Sequence, residues 1–386
     1  MTLLIFFAVL AVLVLVHEFG HFITAKRNGV GAEEFGFGFP PRLFGVYKNK
    51  DGRWQIVWGN KEVKEEVKAR DETIYSFNLL PLGGFVKITG EDGEDKTEDG
   101  DLDEKSFANK SIWVRFKILV AGVTMNIFLA IFLFSLAFWI GLPVPLSDDD
   151  VNSGVPITIT SVVPGSPADK AGLVLGDKIL GMAHSTVDMK TNISINELVK
   201  FIEDNKEKKI YLKIQHPQTE RVEKIEVTPQ IDDEDGKGVI GVGLAKMKVE
   251  RHSIVQAVAL GLKATWGVLV MIFKFLTSLI IAIFTEKSVN GEVTGPIGIA
   301  KMSGEVAKMG WALLFQFVAM LSVNLAVVNL LPFPGLDGGR IIFLVIEKIK
   351  GSPVNKKVEN AVNMIGFSLL LLLMFWVTIK DVMRFW

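Results

Sequence analysis

Val14-Leu15-Val16-His17-Glu18-Phe19-Gly20-His21-Phe22-Ile23-Thr24-Ala25 places two histidines and a glutamate inside an otherwise apolar stretch. That stretch begins at Leu3. As a helix, Leu3 to Ala25 rises about 34 Å, enough to cross a bilayer. It lacks the basic start and small-residue cleavage site of a secretory leader. Residues four apart share a helix face, so His17 and His21 can both reach one metal ion. Glu18 stands beside them, where it can hold a water and take its proton as general base. Ionisable groups are costly inside a span and mark function there. The plain alternative is two histidines hydrogen-bonded to neighbouring spans.

Outward from this stretch the hydrophobicity stays in blocks. They are Ile118 to Leu142, Trp311 to Phe333 and Ala361 to Ile379, with a further apolar stretch, Ile254 to Phe284, that carries Lys263 and Lys274. Across 386 residues, 49% are apolar and 22% charged. The mean hydropathy of +0.36 argues against a purely soluble enzyme. A net charge of −1 gives no reason to expect nucleic-acid binding. The absence of cysteine excludes disulfides, thiol nucleophiles and cysteine-based metal sites. A metal site must therefore be built from His, Asp and Glu.

Basic residues set the orientation. Lys26, Arg27 and Arg42 follow the first block, and Lys105, Lys110, Arg115 and Lys117 precede the second. Pro143 to Asp150 has none. Residues 26–117 are thus expected to be cytoplasmic, and residues 143–253 and the N-terminus outside. Arg340, Lys348, Lys350, Lys356 and Lys357 put the loop after the third block inside as well.

The third block ends Asn324-Leu325-Ala326-Val327-Val328-Asn329-Leu330-Leu331-Pro332-Phe333-Pro334-Gly335-Leu336-Asp337-Gly338-Gly339. Two prolines break the helix just before Asp337, and a broken backbone at membrane depth lines a cavity or lies within protein. Asp337 is the candidate third ligand. Asn324 and Asn329 are amides that can bind a substrate carbonyl, or else bond between helices. For Asp337 to reach the depth of His17, Ile254 to Phe284 must not cross completely. That stretch is expected to be re-entrant or to lie in the outer interface.

Between the second and third blocks, residues 150–248 have the composition of one compact α+β domain. Val162-Val163-Pro164-Gly165-Ser166-Pro167-Ala168 reads as a strand, a turn and a short helix, and Ser194-Ile195-Asn196-Glu197 as a capping box. Ile210–Gln215 and Arg221–Val227 alternate as a hairpin about Pro217-Gln218. The order of these features resembles a PDZ domain. Phe35-Gly36-Phe37-Gly38-Phe39 and Leu82-Gly83-Gly84-Phe85 suggest β-hairpins apolar enough to sit against a membrane, or equally an ordinary small sheet. Glu91 to Glu104, with nine acidic residues, reads as a solvated loop. His184, His216 and His252 read as surface residues.

Taken together, His17-Glu18-x-x-His21, the PDZ-like signature, Gly295-Pro296-Ile297-Gly298 and Asn-Leu-Leu-Pro-x-Pro-x-Leu-Asp-Gly-Gly resemble the site-2 protease family, in its bacterial RseP-type branch of intramembrane zinc metalloproteases. The resemblance implies a polytopic α-helical membrane protein. It would have four transmembrane helices, a cytoplasmic-side membrane-associated β element and one extracytoplasmic α+β PDZ domain. The corresponding segments are 1–25, 26–116, 117–142, 150–248, 253–310, 311–336, 337–360 and 361–380. It implies Zn²⁺ held by His17, His21 and Asp337, with Glu18 as base. Asn329 and Asn324 would be substrate contacts, and Gly36, Phe37 and Gly38 part of a β element that takes the substrate as an added strand. The implied substrates are pre-trimmed single-pass membrane proteins, such as anti-sigma factors, and remnant signal peptides in the bacterial cytoplasmic membrane. A peptide C-terminus in the PDZ groove is a further implied partner. RseP itself resembles this chain but carries two tandem PDZ domains, and here there is room for one. The alternatives are a non-catalytic PDZ scaffold, which would keep the His pair only as packing, and a zinc transporter, which expects more acidic ligands along a path.

Overall fold

The computed structural model describes residues 2–49, 51–61, 72–91, 103–146, 155–185, 188–216, 221–231, 236–285 and 295–385. The linker from 147, the Pro217-Gln218 turn and most of the acid-rich stretch lie outside them. The chain divides into two units. One holds residues 1–136, 255–304 and 315–386, and the other residues 137–254 and 305–314.

The first unit begins with helix α1, Thr2–Arg27. Three strands follow, β1 (Ala32–Lys48), β2 (Trp54–Trp58) and β3 (Ile74–Ile88), in the sheet order β2-β1-β3. β1 and β3 are long enough to bend back. Residues 34–37 pair with 84–87 on one side and 74–77 on the other, while 44–48 pair with 54–58 and 44–46 also with 75–77. The result is two interleaved hairpins with edges at β2 and at residues 84–88. One face carries a ladder of rings across four neighbours, Phe37, Phe77, Phe44 and Trp58, with centroids 5.2, 5.7 and 5.8 Å apart. The opposite face is closed by Tyr47, Val57 and Ile74. Phe35 packs on Phe22 of α1, and a Cβ at Gly84 would stand 3.2 Å from a Leu15 methyl, so the sheet lies against the helix beside its histidines.

Helix α2, Ile112–Ile140, packs so tightly on α1 that a Cβ at Gly20 would stand 2.4 Å from the Ala121 carbonyl oxygen. Small residues permit this approach between apolar helices. In the second unit, β4 (Leu142–Pro145), β5 (Ile157–Val162), β6 (Lys178–Ala183), β8 (Ile210–Gln215), β9 (Val222–Val227) and β12 (Val242–Glu250) order as β4-β12-β5-β6-β8-β9, with β7 (Lys190–Thr191) paired to β6. The short β10 (Gln230–Ile231) and β11 (Gly238–Val239) pair with each other. Helix α3 (Pro167–Lys170) is capped by Ser166, and α4 (Ile195–Asp204) opens on the Ser194–Glu197 capping box. Ile159, Ile179, Leu198, Leu212 and Ile214 fill the core.

Helix α5 (Ile254–Thr285) leads to α6 (Pro296–Lys308) and α7 (Trp311–Leu330). Helices α8 (Asp337–Lys350) and α9 (Lys356–Phe385) end the chain. Two expectations are revised. Residues 254–285 form one unbroken helix, not one that turns back on itself. By length and composition, five helices among the described residues could cross a membrane, the four expected spans α1, α2, α7 and α9 and also α5. Residues 337–350, read as loop, are helical. Gly338 and Gly339 let this helix start directly against the Leu330, Leu331 and Phe333 backbone, where a Cβ would come within 2.4 Å of a carbonyl oxygen.

Candidate metal centre

His17 and His21 are buried on α1, one turn apart, and both face α2. The break after α7 delivers Asp337 to them. His17 Nε2 and His21 Nε2 are 3.1 Å apart, and Asp337 Oδ2 lies 3.1 and 3.3 Å from them. Ligands at 2.0–2.1 Å around one tetrahedral zinc ion stand about 3.3 Å from one another, so these three atoms have the spacing of a metal triad. Packing alone explains them poorly. Only one proton fits between the two ring nitrogens, and Asp337 Oδ2 is buried without a directed donor.

The surroundings prepare the nitrogens. His21 Nδ1 donates to the Ile118 carbonyl at 2.8 Å, which leaves Nε2 as the free lone pair. The Asn126 amide lies 3.2 Å from His17 Nδ1. The atom at that distance is Nδ2; with the amide turned over, its oxygen accepts a hydrogen bond from Nδ1–H and leaves Nε2 free in the same way. Ser322 Oγ donates to the Asn126 carbonyl at 2.8 Å and fixes that part of α2. Gly122 closes the wall: a Cβ there would stand 2.3 Å from His21 Nε2 and 2.8 Å from His17 Nε2. The space facing the ligand nitrogens exists because residue 122 has no side chain.

Glu18 is beside the cluster, within electrostatic reach of both histidines and Asp337. Asn329 reaches it too, with Nδ2 3.3 Å from His17 Nε2. Asn324 does not. It is exposed on another face of α7 and donates to Met320 of its own helix. Gly36 and Phe37 are already paired on both sides and Gly38 follows them in the same strand, so this is not a free edge. Gly36 and Gly38 are packed on Phe85, Ser76, Asn78 and Leu80 instead. The edge beside α1 is Phe85–Ile88. Sequence reasoning passed over Gly122 and Asn126; the one signal at Asn126 was an amide alone in an apolar block. His216, read as a surface residue, is part-buried between two acids. Its Nδ1 lies 2.7 Å from Asp177 Oδ1, and its Nε2 lies 2.6 Å from Glu223 Oε1.

Comparison with known proteins agrees with this centre. A relative from Clostridium perfringens, whose name assigns it provisionally to the zinc metalloproteases, is 36% identical over 385 residues, covering 98% of each chain. The regulator of sigma-W protease RasP of Bacillus subtilis is 29% identical over 459 aligned positions, covering 99% of this chain and 98% of RasP. The solved PDZ domain of an SdrC-like protein from Listeria monocytogenes is 21% identical with a TM-score of 0.20, covering 23% of this chain and 86% of that one. Peptidase family M50 matches residues 5–59 and 62–373. That match takes in both ends of the His-His-Asp cluster, and the chain belongs to the M50, or site-2 protease, family of zinc metalloendopeptidases.

Proposed function

We propose that the protein cleaves peptide bonds within the membrane-spanning segments of single-pass proteins already trimmed outside, and of remnant signal peptides. The observation that carries this reading is the meeting of Asp337 with His17 and His21 inside an apolar helix bundle. These three residues would hold the zinc. When bound, zinc supplies Lewis acidity that polarises a carbonyl and acidifies a water. Glu18 takes the proton of the attacking water and returns it to the leaving amine. The Asn329 amide, at the rim of the cluster, donates to the oxygen on which negative charge develops.

A transmembrane helix hides its peptide bonds, so it must unwind before cleavage. The open edge of residues 84–88, running beside α1, offers main-chain partners to the unwound segment. The aromatic ladder beside it and the exposed Trp54 and Trp58 seat the sheet in the membrane interface. The β-rich second unit, read as a PDZ domain outside the bacterial cytoplasmic membrane, binds a peptide C-terminus or excludes substrates that still carry bulk. The zinc site then lies toward the cytoplasm, and α5 lies along the outer interface.

The test is Glu18→Gln in the purified full-length protein with a single-pass substrate. Cleavage is expected to fall by at least two orders of magnitude while about one zinc per chain is retained. Cleavage at the original rate by the zinc-loaded variant overturns the mechanism. Equal rates on trimmed and untrimmed substrate overturn the substrate class.

A further inference from the structure

Asp337 sits in a glycine-rich break at the start of a helix that has no side-chain cap. Gly335 precedes it with φ of 90°, and Gly338 and Gly339 follow it. Leu336, at the N-cap, gives α8 no side-chain hydrogen bond. The glycines are packed, Gly338 and Gly339 on the backbone of residues 330–334 and Gly335 on Phe367, but the missing cap leaves the first turn of α8 without a side-chain partner of its own. A ligand that must be fixed within a fraction of an ångström needs another restraint.

The first turn of α8 supplies one. Arg340 is three residues after Asp337 and so on the same helix face. Its Nη1 donates to Glu91 Oε1, and its charge also acts on Asp337 and Glu359. Glu91 stands just beyond the edge strand, its N–H donating to Ile88 at 3.3 Å, and its charge reaches Glu18. Both side chains line a cavity of about 160 Å³ with Arg115, Glu347, Lys356 and Glu359. In that cavity Arg115 makes a two-pronged bond to Glu347. Glu347 is nearly three turns further along α8, far from the ligand.

We propose that the Arg340–Glu91 ion pair is a positioning device that locks the first turn of α8 to the end of the edge strand. A fixed Asp337 and an ordered substrate edge are then one state of the protein. The Arg115–Glu347 pair braces the same helix but holds no ligand in place.

The experiment uses the full-length zinc-loaded protein in lipid nanodiscs. It measures zinc release to a chelator, thermal midpoint, and kcat and KM on a trimmed single-pass substrate. Arg340→Met and Glu91→Gln are each expected to release zinc about tenfold faster and to lower kcat with KM within twofold. The double variant is expected to be no worse than Arg340→Met alone, because the two act as one unit. Arg115→Met with Glu347→Gln lowers the thermal midpoint and leaves zinc release within twofold. Arg340→Lys keeps the charge but loses the planar fork; it is expected to fall between and carries the test should Arg340→Met not fold. Zinc release unchanged in the folded Arg340 or Glu91 variants overturns the proposal. So does equal acceleration in the Arg115–Glu347 control, which marks general loosening. The kcat arm rests on the reading of residues 84–88 as the substrate edge and the zinc arm does not, so the two failures are distinguishable.

Discussion

At residue 122 the difference between hydrogen and methyl decides whether two imidazoles can face a metal. A Cβ there would stand 2.3 Å from His21 Nε2 and 2.7 Å from His17 Cε1, so Gly122→Ala forces both rings off their present positions. Zinc content is expected to drop well below one per chain at unchanged protein concentration, with affinity weakened about 10- to 100-fold. Gly20→Ala is the informative contrast. Its Cβ meets the Ala121 backbone, so it separates α1 from α2 and lowers the thermal midpoint instead. A Gly122→Ala protein that binds zinc like the parent refutes the role given to this wall. His17, Glu18, His21 and Asp337 were legible in the sequence because metal chemistry demands certain residue types at certain spacings. Gly122 and Asn126 were not, because their role exists only once α2 lies against α1, and no local pattern records that pairing.

Elements are tied together by polar groups whose meaning also appears only in three dimensions. His216 follows β8, Asp177 belongs to the turn before β6, and Glu223 lies on β9. The imidazole bridges all three. Glu223 first, with Asp177, raises the His216 pKa above its ordinary value, against the opposing effect of burial. A raised folded pKa means the charged ring is favoured by folding. That contribution is complete below about pH 6.5, the value in the unfolded chain, and is lost as pH rises through the folded value. The β-rich unit is therefore expected to lose protection on going from pH 6 to pH 9. Amide hydrogen exchange in β6, β8 and β9 of the full chain measures it. His216→Gln should flatten that pH dependence; a slope that survives the substitution places the titrating group elsewhere. The strands of this unit were readable because each alternates and its turns carry Gly, Pro and Asx residues. The interleaving of β1 with β3 was not. It depends on pairings forty and fifty residues apart, and the glycines of Phe35-Gly36-Phe37-Gly38-Phe39 mark close packing in mid-sheet, not an edge.

For the whole molecule the deciding element is α5, which is long and apolar enough to cross a bilayer. Its neighbours argue that it does not. α1 enters the sheet and the sheet leads into α2, so the start of α1 and the end of α2 share one side. Asp337 meets the His17 end of α1, so α9 returns to that same side. Gly261 of α5 packs on Ser135, near the end of α2. After α5, Gly295 and Gly298 donate to Asp381 near the end of α9, at 3.1 and 2.9 Å, and Gly304 packs on Thr2. We infer from these contacts that the chain is on one side both before and after α5. From Gly261 to Thr285 the helix spans about 36 Å, and the ten residues that follow reach at most about 34 Å when extended. A crossing helix would force that stretch back through hydrocarbon as bare extended backbone, which lipid does not tolerate. Lys263 and Lys274 are eleven residues apart, three helical turns, so both stand on one face with Thr277 and Ser278. That suits a helix lying in the interface with its charges toward the headgroups. The chain has no cysteine, so single cysteines report without interference. Lys263→Cys, Lys274→Cys and Ser278→Cys are each expected to react with an impermeant maleimide added to intact cells, and Lys350→Cys only after permeabilisation. If Ser278→Cys also reacts only after permeabilisation, or if none of the three reacts at all, α5 is a span and the path of the chain into the zinc site must be redrawn.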